Sequence, residues 1–255
     1  MLISMFLKKF SQFILDLIYP PQCVNCKKAN RWLCQDCLNK ITPIVDAFCR
    51  RCGTPTSINE PHLCLRCQSK PLSAIDGIRA AAHFEKTPIR QAIHSLKYRN
   101  HQALTAPLAK LLAEAYNRFH LKADVILPVP LHKLRHRDRG YNQSELLARE
   151  LANELHLPVN THLLQRIRPT KVQVDLSAIE RYYNVANAFS CDSQSLAGQK
   201  VLLIDDVCTT GATLDACAAA LKTAGAQTVW GLTLARASVI PLDGKSGRIS
   251  DKPKS

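Results

Sequence analysis

The stretch Val201-Leu-Leu-Ile-Asp205-Asp206-Val-Cys208-Thr209-Thr210-Gly211-Ala212-Thr213 leaves the chain few folds to choose from. Four consecutive aliphatic residues read as a buried strand, and two carboxylates follow it. A Thr/Gly turn then opens a helix. Backbone N–H groups and hydroxyls at a helix N-terminus make a nest for an anion, favoured further by the helix dipole. The acids stand just before that nest, at the carboxyl edge of a sheet, where open α/β folds bind ligands. Carboxylates repel a phosphate but accept hydrogen bonds from vicinal hydroxyls. Acid pair and anion nest together therefore point to a ribose 5-phosphate. Asp205 and Asp206 would hold the sugar, and Thr209, Thr210, Gly211, Ala212 and Thr213 the phosphate. Cys208 reads as a small apolar side chain.

The cysteines set a second constraint. Of eleven in the 255-residue chain, eight form four Cys-x-x-Cys pairs: Cys23/Cys26, Cys34/Cys37, Cys49/Cys52 and Cys64/Cys67. Two thiolates at that spacing can turn toward one ion, and two such knuckles close a four-cysteine zinc site. In chain order the spacings are two, seven, two and then two, eleven, two. That gives one or two structural zinc ions, with interleaved ligation left open, and it resembles an internal duplication of one ribbon. A disulfide framework would need an oxidising compartment. Residues 1–18 carry Lys8, Lys9 and Asp16 and no small-residue cleavage site, so they match neither an export signal nor a membrane span. The expected location is the cytoplasm.

Leu2, Phe6, Phe10, Phe13, Ile14, Leu17 and Ile18 recur at helical spacing. Residues 1–19 therefore read as an amphipathic helix, packed on its own domain or serving as a peripheral membrane or partner-binding helix. The formal net charge of +14 is spread along the chain and suits a polyanionic partner, nucleic acid among them. The cysteine-rich module occupies residues 20–70, with metal supplying much of its folding energy. From residue 73 to 238 predicted strands alternate with helices: a strand over 80–84, helices over 88–98 and 104–119, a strand from Val125 and a helix over 142–155. A strand over 201–204, a helix over 214–223 closed by Gly225, and a strand over 228–235 complete the series. Such alternation predicts an α/β fold, a parallel sheet flanked by helices. Residues 239–255 are polar and read as a disordered tail.

Two more segments suit a diphosphate beside the sugar phosphate. Pro128-Val-Pro130-Leu131-His132 is a strand-end turn followed by Lys133, Arg135, Arg137 and Arg139, whose guanidinium forks match phosphate oxygens. A long polar stretch from Arg166 and Arg168 through Lys171 and Gln173 to Arg181 and Asn184 could close over a substrate. His132 and His136 are the candidates for a general base.

The acid pair with Thr-Thr-Gly-x-Thr resembles the loop of type I phosphoribosyltransferases that binds 5-phosphoribosyl 1-pyrophosphate (PRPP). The wider succession resembles the ComF family (competence protein F, GntX-like): a cysteine-rich double ribbon, Pro128 to His132, Arg137 to Gln143, Gln173-x-x-Leu-Ser-x-x-Glu-Arg-x-x-Asn184 and Asp205 to Thr213. Leu96-Lys97-Tyr98 also matches, where phosphoribosyltransferases carry the hood that selects the base. The resemblance covers about residues 20–237. It implies a type I phosphoribosyltransferase-like domain behind an N-terminal double zinc ribbon, and a PRPP site with Mg²⁺. On that site Pro130, Leu131, His132, Arg137, Arg139, Arg168 and Lys171 would face the pyrophosphate, and Asp205 and Asp206 the ribose. It further implies a cytoplasmic role in natural transformation, with single-stranded DNA and DNA-uptake proteins at the inner membrane as partners.

Two readings stay open. One is a PRPP-binding protein that handles single-stranded DNA. The other is an active phosphoribosyltransferase of nucleotide salvage with a nitrogen-base acceptor. A glutaminase is unsupported, because Met1-Leu2-Ile3 offers no nucleophilic cysteine.

Overall fold

The computed structural model describes residues 20–45, 47–56, 63–69, 72–85, 88–168, 187–191 and 196–237. The expected helix over 1–19, the polar tail, Lys171 and the segment Gln173 to Asn184 lie outside the described residues. The backbone of the fold is a four-stranded parallel sheet of β1 (Gly77–His83), β2 (Val125–Pro128), β5 (Lys200–Cys208) and β6 (Thr228–Arg236), in the order β1-β6-β5-β2. Register is set by pairs such as Ile204↔Leu232 and Leu127↔Leu203. Val201, Leu202, Leu203 and Ile204 are all buried, as expected of an inner parallel strand covered on both faces.

Alternate residues of these strands feed two cores. Ile126, Leu202, Ile204 and Leu232 pack with α3 (Ile89–Tyr98), α4 (Thr105–Arg118) and α6 (Gln143–Leu155). Val125, Leu127, Val201, Leu203 and Val229 pack with α7 (Ala212–Thr223) and the antiparallel pair β3 (Leu164–Arg166) and β4 (Phe189–Cys191). Helix α3 buries Ile89, Ala92, Ile93 and Leu96, the i, i+3, i+4, i+7 stripe of an amphipathic helix. Helix α6 starts where Asn142 Oδ1 accepts from Ser144 N at 3.1 Å, an N-cap.

The cysteine-rich module holds two short helices, α1 (Gln35–Leu38) and α2 (Leu65–Ser69), each carrying the end of a Cys-x-x-Cys pair. It covers the edge of the sheet at β1. Ile78 N donates to Arg51 O at 2.8 Å and Ile44 N to Ala81 O at 3.0 Å, which occupies polar groups that an open edge would expose. Gly53 sits so close that a Cβ there would fall 2.3 Å from the Ile78 carbonyl oxygen, so only glycine fits this approach. The two halves of the module join opposite cores. Cys23, Cys34 and Cys37 pack on the α3/α4/α6 side, and Cys49, Cys52 and Cys67 on the α7 side.

Two local features differ from the sequence expectation. Strand β5 continues past Ile204 through both acids to Cys208, because β6 is long enough to pair with it there (Asp205↔Thr233, Cys208↔Arg236). The basic run after β2 is a short helix, α5 (Lys133–Arg139), rather than a loop. His132 starts it, its Nδ1 accepting from Leu134 N at 3.3 Å, and Gly140 ends it at φ +82°.

Candidate functional site: an acid pair, an anion turn and two cysteine clusters

The acids sit within β5 with their side chains held by two helices. Asp206 is buried; one oxygen lies 2.7 Å from Lys97 Nζ, and the other accepts from Gln143 Nε2 at 2.7 Å. Asp205 is partly exposed and its Oδ1 accepts from Ser144 Oγ at 2.9 Å and from the Asp206 N–H at 2.9 Å. Burial, together with the neighbouring Asp206 charge, pushes the Asp205 carboxyl up to about 7, against the opposing pull of Lys97 and these hydrogen bonds. Asp205 therefore holds a proton for part of the time near neutrality.

A chain of contacts extends from Asp206. Arg139 donates to Gln143 Oε1 and lies 5.2 Å over the Tyr98 ring, and Tyr141 Oη donates to the Leu96 carbonyl. Lys97 and Tyr98 close α3, so the acid, Gln143, Arg139 and the end of α3 form one connected set. Arg166 on β3 joins from the other side, near enough to Asp205 and Arg135 to feel both charges.

Beyond the acids, β5 runs into the turn expected to hold an anion. Thr210, Gly211 and Ala212 are buried, Thr209 and Thr213 partly exposed. Gly211 holds φ +82° as the N-cap of α7, and a Cβ there would meet Ile78 Cδ1 at 2.7 Å. The acid of the first turn, Asp215, faces away from the turn. It accepts from the N–H groups of Ala74 at 2.9 Å, Ile75 at 3.0 Å and Ser73 at 3.3 Å, so the positive end of α7 has no carboxylate against it from this residue.

The other expected site residues divide. Pro130, Leu131 and His132 lead from β2 into α5, beside β5, through Val129 N to Ile204 O at 2.9 Å. Arg139 reaches the acid network; Arg137 does not, its side chain lying in solvent 3.8 Å from Asp138. Arg168 is exposed, two residues beyond Arg166. His136 is exposed too, and the His132 ring nitrogen is engaged in its cap. Four residues that carry the geometry were not assigned to the acids from the sequence: Lys97, Gln143, Ser144 and Arg166, the last of which was read as part of a loop closing over substrate. The first three each stood inside or next to a motif that the sequence displays.

Each cysteine cluster gathers in chain order. Cys23, Cys26, Cys34 and Cys37 bring their Sγ atoms within 4.8 Å of one another, and so do Cys49, Cys52, Cys64 and Cys67. Cys26 and Cys34 stand 3.5 Å apart, Cys52 and Cys64 3.7 Å. A tetrahedral ion with Zn–S of about 2.3 Å needs S···S of about 3.8 Å. The donor sets fit zinc, and interleaved ligation is ruled out.

The family model of a double zinc ribbon domain matches residues 14–68, and that of a phosphoribosyl transferase domain residues 94–240. Competence protein F of Haemophilus influenzae is 32% identical over 84% of this chain and 97% of its own length. The chain belongs to the ComF family. Two further relatives frame this membership. DNA utilization protein YhgH of Salmonella typhimurium is 32% identical over 84% of this chain and 96% of its own. Competence protein ComFC of Bacillus subtilis is 28% identical over 89% and 92%. Among the described residues, no helix of this ComF-family chain is long and apolar enough to cross a membrane.

Proposed function

We propose that the chain binds PRPP and serves in the uptake and use of single-stranded DNA at the cytoplasmic face of the inner membrane. The observation that carries the ligand is the sequence of parts on β5. Two carboxylates lead directly into a glycine-capped turn at the start of α7, and Asp215, the acid in the first turn of that helix, is turned elsewhere. The 5′-phosphate takes the N–H groups and hydroxyls of Thr209 to Thr213, and the ribose hydroxyls donate to Asp205 and Asp206. The pyrophosphate lies toward Pro130, Leu131 and His132, with Arg139 and Arg166 closing over it and Arg168 beyond.

Asp205 and Asp206 are hard oxygen donors of the kind Mg²⁺ takes. Lys97 already stands on one oxygen of Asp206, so Asp205 and the pyrophosphate oxygens would hold a divalent ion, which would supply charge neutralisation there. Lys97 orients one oxygen of Asp206, and Gln143 fixes the other.

The DNA role rests on the relatives, one named for competence and another for DNA utilization, and on a net charge of +14 that suits a polyanion. Calorimetric titration of PRPP into the zinc-loaded protein, with and without Mg²⁺, tests the ligand. Mg²⁺-dependent binding that D205N/D206N abolishes supports the site, and normal binding by that variant overturns it. Pyrophosphate release on adding nucleobases in the same samples would make the protein an active phosphoribosyltransferase and name its acceptor.

A further inference from the structure

The second cysteine cluster does more than fold its own ribbon: its residues grip the anion turn from behind. Arg66 lies between the ligands Cys64 and Cys67 on α2 and donates through Nη2 to the carbonyl of Thr210, the centre of the turn. Arg236, at the end of β6 and only 2% exposed, spans the same junction. Its Nη1 donates to the Cys52 carbonyl at 2.7 Å and to Cys208 Sγ at 2.8 Å, and its Nη2 to Thr54 Oγ1 at 2.7 Å. Cys52 is a cluster cysteine, and Cys208 is the last residue of β5 before the turn. Leu72 and Ile78, which adjoin the second cluster in one core, also fill the space against Gly211. The first cluster packs on the opposite core and has no contact of this kind among the described residues.

A short helix such as α2, only five residues long and flanked by Cys64 with Cys67 inside it, keeps its position only while those cysteines are drawn to a common ion. Arg66 moves with it. A charge-assisted bond to a buried carbonyl is strong when made and costly when broken, so loss of the ion would free Thr210 and with it the N–H groups of the nest. The Nη1 of Arg66 is buried without an acceptor among the described residues. That cost is tolerated where the guanidinium is held for its other bond.

We propose that Arg66 and Arg236 are positioning residues that make the anion turn, and therefore ligand binding, depend on the zinc ion of the second cluster but not on that of the first. The ligand half of this inference rests on the PRPP reading; the coupling of cluster to turn does not.

The test compares R66M, R66K, C67S (second cluster) and C37S (first cluster) with the wild-type full chain. Three readouts are taken: zinc content, amide exchange over residues 206–214, and calorimetric titration of PRPP. R66M is expected to retain both zinc ions, to speed exchange across the turn, and to weaken PRPP binding on the order of tenfold, one lost charge-assisted bond. R66K, which keeps a charged donor, recovers part of both effects. C67S loses one zinc and reproduces the loosened turn, whereas C37S loses one zinc and leaves exchange at the turn as in the wild type. The coupling is overturned if R66M exchanges and binds like the wild type, or if C37S loosens the turn as much as C67S. Should C67S fail to fold, the R66M comparison still decides. A wild-type chain that binds no PRPP would sink the ligand reading alone, and the exchange data would then judge the coupling.

Discussion

Lys97 Nζ sits 2.7 Å from the carboxylate of Asp206, with the lysine side chain 21% and the aspartate side chain 5% exposed. An ammonium ion from the end of α3 thus occupies the centre of the candidate site. A buried ion pair is costly to break from one side, because the partner is left charged and poorly solvated. K97M is therefore expected to destabilise the protein by about 2 kcal/mol, and K97M/D206N by less than the sum of the single changes. Urea unfolding of the four members of that cycle measures the coupling. Additive losses would show that the pair contributes nothing as a pair.

Asp205 gives a pH signature of opposite sign to the usual carboxylate. Its folded value is raised, by burial first and by Asp206 second, to about 7, whereas an unfolded carboxyl titrates near 4. Between those values the folded chain binds the proton and the unfolded chain does not, so this group's contribution falls as pH rises from about 4 to about 7 and is flat above. D205N keeps an oxygen for Ser144 and for the Asp206 N–H while removing the charge. It is expected to stabilise the ligand-free protein at pH 8 by on the order of 2 kcal/mol, the full linkage value discounted for partial exposure, and to change little at pH 4. Thermal melts across that range decide it. A variant no more stable than the wild type at pH 8 would mean that Asp205 is an ordinary ionised carboxylate.

The contrast between Asp205 and Lys97 shows what the sequence made legible. The acids, the turn and the eight cysteines announce themselves because local chemistry fixes them: a phosphate nest needs consecutive N–H groups, and a knuckle needs two thiolates three positions apart. The parallel sheet followed from alternating strands and helices. Lys97, Gln143, Ser144 and Arg166 reach the acids only after α3, α6 and β3 have packed, and no local spacing encodes that convergence. The same holds for α5. Its basic residues read as a loop because nothing in it is apolar enough to show helical periodicity, yet the His132 cap and Gly140 delimit a helix. That helix turns Arg137 into solvent while Arg139 meets Gln143.

Gly211 tests whether the turn is as tightly specified as its packing implies. Its φ of +82° is a conformation that side chains resist, and a Cβ would press on Ile78 Cδ1 at 2.7 Å. G211A is expected to cost about 1–3 kcal/mol in stability and to weaken PRPP binding more than stability alone explains, since the strain moves the N–H groups themselves. Unfolding and calorimetry on the same samples separate the two. Wild-type affinity in a destabilised variant would place the phosphate elsewhere.

The two cysteine clusters predict a metal stoichiometry with unequal consequences. Each set of four Sγ atoms is already drawn within 4.8 Å, a spacing that costs thiolate repulsion unless a cation sits between them. Metal analysis is expected to return two zinc ions per chain, and C26S one. Ligand thiolates compete with protons, so acidification weakens zinc binding, and a chelator lowers the melting temperature more at pH 8, where zinc contributes most, than at pH 6. The second ribbon covers the β1 edge through Ile78 N to Arg51 O and anchors Arg236 through the Cys52 carbonyl. Stripping its ion should therefore expose backbone around β1 and the end of β6, seen as faster amide exchange there. A fully stripped chain whose β1 and β6 amides exchange as slowly as before would mean that the sheet edge holds without the ribbon.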